Sequence, residues 1–324
     1  MRLVLYLPAL NEAQTIGAVL DTIPKRIAGV DAISTIVIDD GSTDGTAEIA
    51  ASRGAAVVRH PKNLGTGRAF VSGVSAGLRA GADIIVSMDA DGQFRGEDVE
   101  KLIAPIVAGK ADVVLCSRFA DGNMVGEMRW LKRMGNDFLT RAISSFAGVR
   151  FTDVSCGFRA ISREAALHVD IHSDYEYIHE SLLNWSRGGL TITEVGLPVL
   201  AERPVGESRI MRSVVKYAMR SAPVLLRAIR DHSPIKFFGL LSLLVALPSL
   251  AAGVYVSIHW LRTGGTAPYT SLITLSVGGL LLGFILAVVA LLADLIGRMR
   301  LQLEELVYES RRERLNQLPA RERK

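Results

Sequence analysis

The apolar positions in the N-terminal part of the chain fall into short unbroken runs, each cut off by polar residues. Residues 3–7, 35–38 and 84–88 are such runs, with Thr35 and Ser87 their only polar members; they end at Pro8, Asn11 and Glu12, at Asp39, Asp40 and Ser42, and at Asp89, Asp91 and Gln93. Unbroken runs of this length predict strands buried on both faces. Shorter runs at 57–58 and 113–116 predict two more strands. Between them, 12–22, 69–80 and 97–108 read as helices, and another starts near Thr46, with Ser42, Thr43 or Asp44 able to cap it. Strands alternating with helices predict an α/β domain with a mostly parallel sheet covered on both faces.

The pattern changes beyond residue 230. Residues 237–261 and 272–293 are runs of 25 and 22 residues without Asp, Glu, Lys or Arg. About 20 residues cross a bilayer as a helix, so both qualify as spans, and Pro248 is expected to kink the first. Arg262 is the only charge between them, whereas Arg227, Arg230 and Lys236 precede the first and Arg298, Arg300, Arg311, Arg312 and Arg314 follow the second. The positive-inside rule then puts the large domain and both termini in the cytoplasm. Met1 leads directly into a strand-like run too short for a signal peptide, so none is expected. Residues 203–236 carry eight basic and two acidic residues. Arg209, Arg212, Lys216, Arg220, Arg227 and Arg230 fall within a helical stripe about 80° wide, as in helices lying on an anionic membrane surface. The net charge of +4 needs no nucleic-acid partner, because the excess sits beside the membrane. Cys116 and Cys156 imply no disulfide framework.

The expected organisation is a cytoplasmic domain at 1–202, basic interfacial helices at 203–234, a transmembrane hairpin at 235–296 and a charged, partly helical tail at 297–324, which could support a homo-oligomer.

The candidate chemistry lies where the strands end. Open parallel sheets bind ligands at their carboxyl edge. Asp89 and Asp91 are two apart, so on extended backbone both point to the same side, and Gln93 continues the alternation. Hard oxygen ligands suit Mg²⁺ or Mn²⁺. Each cluster alone is ordinary turn chemistry; three at one edge make a site. Its acidity would repel a bare phosphate, so the expected ligand is a metal-bridged nucleotide, with Asp39 or Asp40 free to hydrogen-bond base or ribose. Rival motifs fail: Gly65 and Gly67 begin a G-x-G-x-x-G in which Phe70 takes the third glycine position, and no P-loop occurs.

PALNE, VIDDGSTDGT, NLGTGRA, DADGQF and FTDVSCGFRA, in this order, resemble the polyprenol-phosphate glycosyltransferases of glycosyltransferase family two, of the dolichol-phosphate mannose synthase type with two C-terminal membrane helices. The resemblance implies a glycosyltransferase-A type nucleotide-binding domain. It also implies inverting transfer of a sugar from a nucleotide-sugar donor, GDP-mannose or a UDP-sugar, to a polyprenyl or dolichyl phosphate at the membrane. It further implies that Pro8, Glu12, Asp40 and Asp39 line the nucleotide pocket and that Asp89, Asp91 and Gln93 hold the metal. Arg118, with Arg133 and Asn136, would face the lipid phosphate, Arg129 competing with Arg133; Asp153 would close the acceptor side. Arg203, with Ser208 and Arg209 in the same loop, would fold over the diphosphate, and Tyr175, Tyr177, His179 and Glu180 would shape the acceptor site. Two other readings are a polysaccharide synthase, which lacks its Q-x-x-R-W motif because Gly126 stands where Gln is required, and a non-catalytic nucleotide-binding membrane adaptor.

Overall fold

The structure is a computed structural model that describes residues 1–120, 124–125, 130–169, 171, 177–200 and 234–317. The chain divides into two compact units, Met1–Met219 with Val307–Lys324, and Arg220–Leu306.

The first unit is built on a seven-stranded sheet. Its strands are β1 (Arg2–Ala9), β2 (Ala32–Asp39), β3 (Ala56–Arg59), β4 (Ile84–Ser87), β5 (Val113–Ser117), β7 (Arg159–Ser162) and β8 (Ile192–Gly196), in the order β3-β2-β1-β4-β7-β5-β8. Two short strands, β6 (Met124–Val125) and β9 (Val199–Leu200), pair separately. All neighbours in the main sheet are parallel except those of β7, which runs antiparallel between β4 and β5. The five strands read from the sequence are all present. β7 and β8 were not foreseen: β7 (RAIS) opens on an arginine, β8 (ITEVG) carries a glutamate, and neither has the long apolar run of β1.

Among the described residues the helices that accompany the sheet are α1 (Ile16–Asp21), α2 (Thr46–Ser52), α3 (Thr66–Arg79), α4 (Val99–Val107), α5 (Trp130–Ala147), α6 (Arg163–Leu167) and α7 (Tyr177–Arg187). They explain why the strand sequences do not alternate. Leu3, Leu5 and Leu7 pack into one core layer with Ile16, Val19, Leu102 and Ile103 of α1 and α4. The intervening Tyr6 turns to the other layer and meets Phe70 of α3 edge-on, with ring centres 6.3 Å apart. Both faces are therefore buried, each large aliphatic side chain contributing about 2 kcal/mol. The register aligns Ala9 with Asp39, and the amide of Asp40 continues the ladder by donating to the Ala9 carbonyl. The carboxyl ends of β1 and β2 thus finish at one level.

The second unit contains α8 (Pro234–Thr263, 30 residues) and most of α9 (Thr270–Gln317, 48 residues), both long and apolar enough to cross a membrane. Pro248 lies within α8, which is helical on both sides of it. Ser242 donates to the carbonyl of Gly283 at 2.7 Å and Ser276 to that of Ser249 at 2.7 Å, which ties the two helices together. Large side chains such as Leu240, Leu244 and Leu247 stay exposed, as a lipid-facing surface requires. α9 stays helical to Gln317, supported by the i, i+4 pairs Arg298–Asp294 and Arg300–Glu304. Within the first unit its last turns are fastened by Tyr308, which donates to Glu164 at 2.6 Å, and by Arg311, which donates to the carbonyls of Leu167 and Val169.

Candidate functional site

The three polar clusters meet at one sheet edge and are knitted together by their own hydrogen bonds. The amides of Asn11, Glu12 and Ala13 donate to Ser42, Thr46 and Asp44 at 2.8, 2.9 and 3.1 Å. The Thr43 amide answers by donating to Asn11 Oδ1 at 2.8 Å. Asn11 takes a left-handed backbone (φ 50°), which an asparagine tolerates better than most residues. The Thr15 hydroxyl donates to the carbonyl of Ala90 at 2.8 Å, which joins the first loop to the third. Pro8 and Glu12 are half-buried on this edge.

Asp39 and Asp40, the carboxylates expected to meet a base or ribose, both have partners within the fold. Asp39 is fully buried; Oδ1 accepts from the Ser42 amide at 2.9 Å and Oδ2 lies 3.1 Å from Arg59 Nε. Asp40 is 6% exposed. Its Oδ1 accepts from the Leu64 amide at 2.9 Å and lies 2.7 Å from His60 Nδ1, while Oδ2 accepts from the Gly65 amide at 2.9 Å. These carboxylates hold the turn at 40–42 and the loop at 61–65 in contact. Gly41, at φ +82°, lies so close that a Cβ there would come within 2.6 Å of the Lys62 carbonyl carbon.

The backbone at Asp89–Gln93 also differs from the prediction. β4 ends at Ser87, and residues 90–94 form a turn around Gly92 (φ +79°), so strand alternation does not set these side chains. Asp91 is 4% exposed, and its Oδ1 accepts from the Gln93 amide at 3.0 Å, fixing the turn locally. Gln93 Nε2 donates to the Leu200 carbonyl at 2.8 Å and the Leu200 amide donates back to the Gln93 carbonyl, so this side chain fastens β9. Asp89 stays partly exposed, with its carboxylate against Gly157. Among the described residues no group of three or more His, Cys, Asp or Glu could hold a metal ion alone. Asp89, partly exposed, and Asp91, buried beside it in sequence, are hard-oxygen donors of the kind that suits Mg²⁺ or Mn²⁺, whose remaining ligands would come from a diphosphate and water.

The acceptor-side residues converge around β5 and the 151–158 segment. Arg118 and Asp153, singled out separately, form a two-pronged ion pair, Nε to Oδ2 at 2.6 Å and Nη2 to Oδ1 at 2.9 Å. Burial opposes the guanidinium's charge, but the hydrogen bonds and charge of Asp153 outweigh it, and the pKa of Arg118 is raised. Glu194 of β8 fixes this segment by accepting from the amides of Thr152 and Asp153 at 2.8 and 3.0 Å. The guanidinium carbons of Arg118 and Arg133 lie 5.5 and 5.2 Å from the centre of the Phe119 ring, so one aromatic side chain gathers both expected phosphate-binding cations. Asn136 of α5 is 5% exposed, and neither of its amide atoms has a partner among the described residues.

Beneath the edge, Arg159 of β7 is buried and has no carboxylate partner among the described residues. It donates to the carbonyls of Cys156 and Ile178 and to the Ser181 hydroxyl, and lies over Tyr177. Burial lowers its pKa. Burial likewise raises that of Tyr177, which stacks on Phe70 at 4.4 Å. Tyr177 is therefore a core side chain here. Arg129, Arg203, Ser208, Arg209 and Tyr175, with the basic segment 203–233, lie outside the described residues.

His60, Phe119 and Glu194 border the site and were not singled out for it; Gly157 lies in the FTDVSCGFRA motif, whose CGFR part the resemblance puts on the acceptor side, and its contact with Asp89 was not foreseen. Each acts through a neighbour brought close by folding.

Comparisons with known proteins agree with this arrangement. The family described as "Glycosyl transferase family 2" matches residues 5–169. The chain is 30% identical to "Glycosyltransferase AglJ" of Haloferax volcanii, over 89% of this chain and 91% of that protein. It is 28% identical to the "Polyprenol monophosphomannose synthase" of Mycolicibacterium smegmatis, over 68% of this chain and 84% of that one. Among solved structures, glucosyl-3-phosphoglycerate synthase from Mycobacterium tuberculosis in complex with Mn²⁺ and UDP-glucose matches with a TM-score of 0.53 and 25% identity, covering 70% of this chain and 78% of that one.

Proposed function

The chain belongs to glycosyl transferase family 2, with that family's glycosyltransferase-A type domain, and from this premise we propose that it moves a sugar from a nucleotide-sugar donor onto a polyprenyl phosphate at the cytoplasmic membrane face. The observation that carries the reading is the presence of an acidic pair, Asp89 and Asp91, after β4 together with a cationic pair, Arg118 after β5 and Arg133 on α5, gathered on Phe119. One suits a cation on a diphosphate; the other suits a second, separate phosphate. A relative named for polyprenol monophosphomannose synthesis supports the lipid acceptor, and two apolar helices support its delivery from a bilayer.

In this reading Asp89 and Asp91 hold Mg²⁺ or Mn²⁺, as the Mn²⁺ in the solved relative suggests. Bound there, the cation would supply Lewis-acid charge for the departing nucleoside diphosphate. The chain's own residues orient and neutralise. Arg118, held by Asp153, and Arg133, held at Phe119, aim the acceptor phosphate. A lipid phosphate is largely ionised at neutral pH, its second pKa being about 6, so it needs no strong general base. Its oxygen attacks the anomeric carbon as the bond to the diphosphate breaks, inverting that centre. Pro8 and Glu12 border the nucleotide, Asp39 and Asp40 act by shaping its pocket, and Asn136 faces the acceptor. Gln93 serves the site by fastening β9; Arg203 and Ser208 would close over the diphosphate. The division into 1–202, 203–234, 235–296 and 297–324 is the working organisation, with the basic segment on the anionic bilayer surface. The donor, GDP-mannose or a UDP-sugar, is the variable to determine.

The test is metal-dependent turnover in Asp89→Asn and Asp91→Asn. Each should lower the rate at least about a hundredfold with the fold intact; near wild-type rates would remove the metal assignment.

A further inference from the structure

His60 plays no part in the transfer chemistry, yet it is buried at the site's margin, 8% exposed, between two polar partners. Its Nδ1 lies 2.7 Å from Asp40 Oδ1 and its Nε2 lies 2.9 Å from Ser72 Oγ on α3. A neutral ring donating from Nδ1 accepts the Ser72 hydroxyl proton at Nε2, which satisfies both contacts. Its own amide donates to the Asp39 carbonyl at 2.8 Å, so the residue is fixed at backbone and side chain.

What this relay holds is specific. Asp40 grips the amides of Leu64 and Gly65, immediately before the first turn of α3. Gly65 takes φ +95° to present its amide, and the Gly41 turn packs against Lys62 and Asn63 from below. The loop at 61–65 would otherwise be tied to the sheet by few contacts, since residues 61–63 are exposed. With the relay in place, the end of β2, the loop and the start of α3 form one unit beside the PALNE loop.

We propose that His60 is a positioning residue for the donor nucleotide: through Asp40 and Ser72 it fixes the 61–65 loop as a wall of the donor pocket. This rests on the glycosyltransferase reading and adds to it a part of the donor pocket assigned to residues that do not touch the reacting atoms. A buried hydrogen bond to a charged group is strong enough for its loss to shift donor affinity about tenfold.

The experiment uses the full chain in detergent, with His60→Ala, His60→Asn and Ser72→Ala. Binding of GDP and UDP with Mn²⁺ is measured by calorimetry, and donor KM, acceptor KM and kcat are measured separately. Amide exchange at Leu64 and Gly65 reports on the loop directly. His60→Ala should weaken nucleotide binding and raise donor KM about tenfold, with kcat and the KM for lipid phosphate near wild type and faster exchange at both amides. His60→Asn, whose amide can still donate to Asp40, should recover part of the loss, and Ser72→Ala should fall between. Unchanged nucleotide affinity in a folded His60→Ala overturns this inference alone, as does a uniform fall in kcat and both affinities that His60→Asn does not relieve. Wild-type protein that binds neither nucleotide overturns both this inference and the reading beneath it.

Discussion

Arg118 and Asp153 are joined by two parallel hydrogen bonds, and Asp153 is wholly buried while the Arg118 side chain keeps 16% of its surface. The carboxylate thus sets the guanidinium's plane and leaves its outer edge toward the site. Removing the arginine strands a buried carboxylate, so Arg118→Ala should destabilise the first unit by about 3 kcal/mol. Arg118→Lys restores the charge but not the fork. It should recover most of the stability and little of the acceptor affinity. Thermal unfolding alongside acceptor KM separates the two effects; parallel recovery of both would contradict this role.

Phe119 touches both cations, and two cation–π contacts are worth about 0.5–1 kcal/mol each. Phe119→Leu keeps the bulk and removes the ring's quadrupole. The expected result is a rise of about tenfold in the KM for lipid phosphate, an unchanged donor KM, and rescue by Phe119→Tyr. Steady-state kinetics with each substrate varied in turn decides it.

Gly157 leaves no room for a side chain beside the metal-side acid. A Cβ there would stand 3.1 and 3.2 Å from the two carboxylate oxygens of Asp89. Gly157→Ala should displace that carboxylate by a few tenths of an ångström, raise the Mn²⁺ concentration needed for half-maximal rate, and lower kcat by up to about a hundredfold. Stability should change little. A metal titration of the variant shows it; an unaltered titration would mean that Asp89 does not serve the metal.

The sequence made the sheet's frame legible because parallel strands buried on both faces need continuous apolar runs, and Leu3, Leu5 and Leu7 with Tyr6 show both faces filled. The polar strand ends were legible for the same reason, since a run that stops abruptly marks the sheet's edge. The antiparallel β7 was not, because Arg159 at its start is buried by carbonyl and hydroxyl partners that no local pattern announces. Side-chain tasks were the least legible. The Leu64 and Gly65 amides that donate to Asp40, and the Leu200 carbonyl that accepts from Gln93 Nε2, are contacts that no local pattern announces. Both partners lie far along the chain or across a turn, so only the folded structure brings them together.

The central claim is sugar transfer to a lipid phosphate, and one assay addresses it directly. The full chain in lipid nanodiscs with Mn²⁺ is given polyprenyl phosphate and, in turn, GDP-mannose, UDP-glucose and UDP-N-acetylglucosamine, while nucleoside diphosphate and glycolipid are both measured. The account predicts that one donor releases its diphosphate only when lipid phosphate is present, with one polyprenyl-phosphate monosaccharide formed per diphosphate released. Metal-dependent nucleotide binding with no lipid-dependent product from any donor would contradict it.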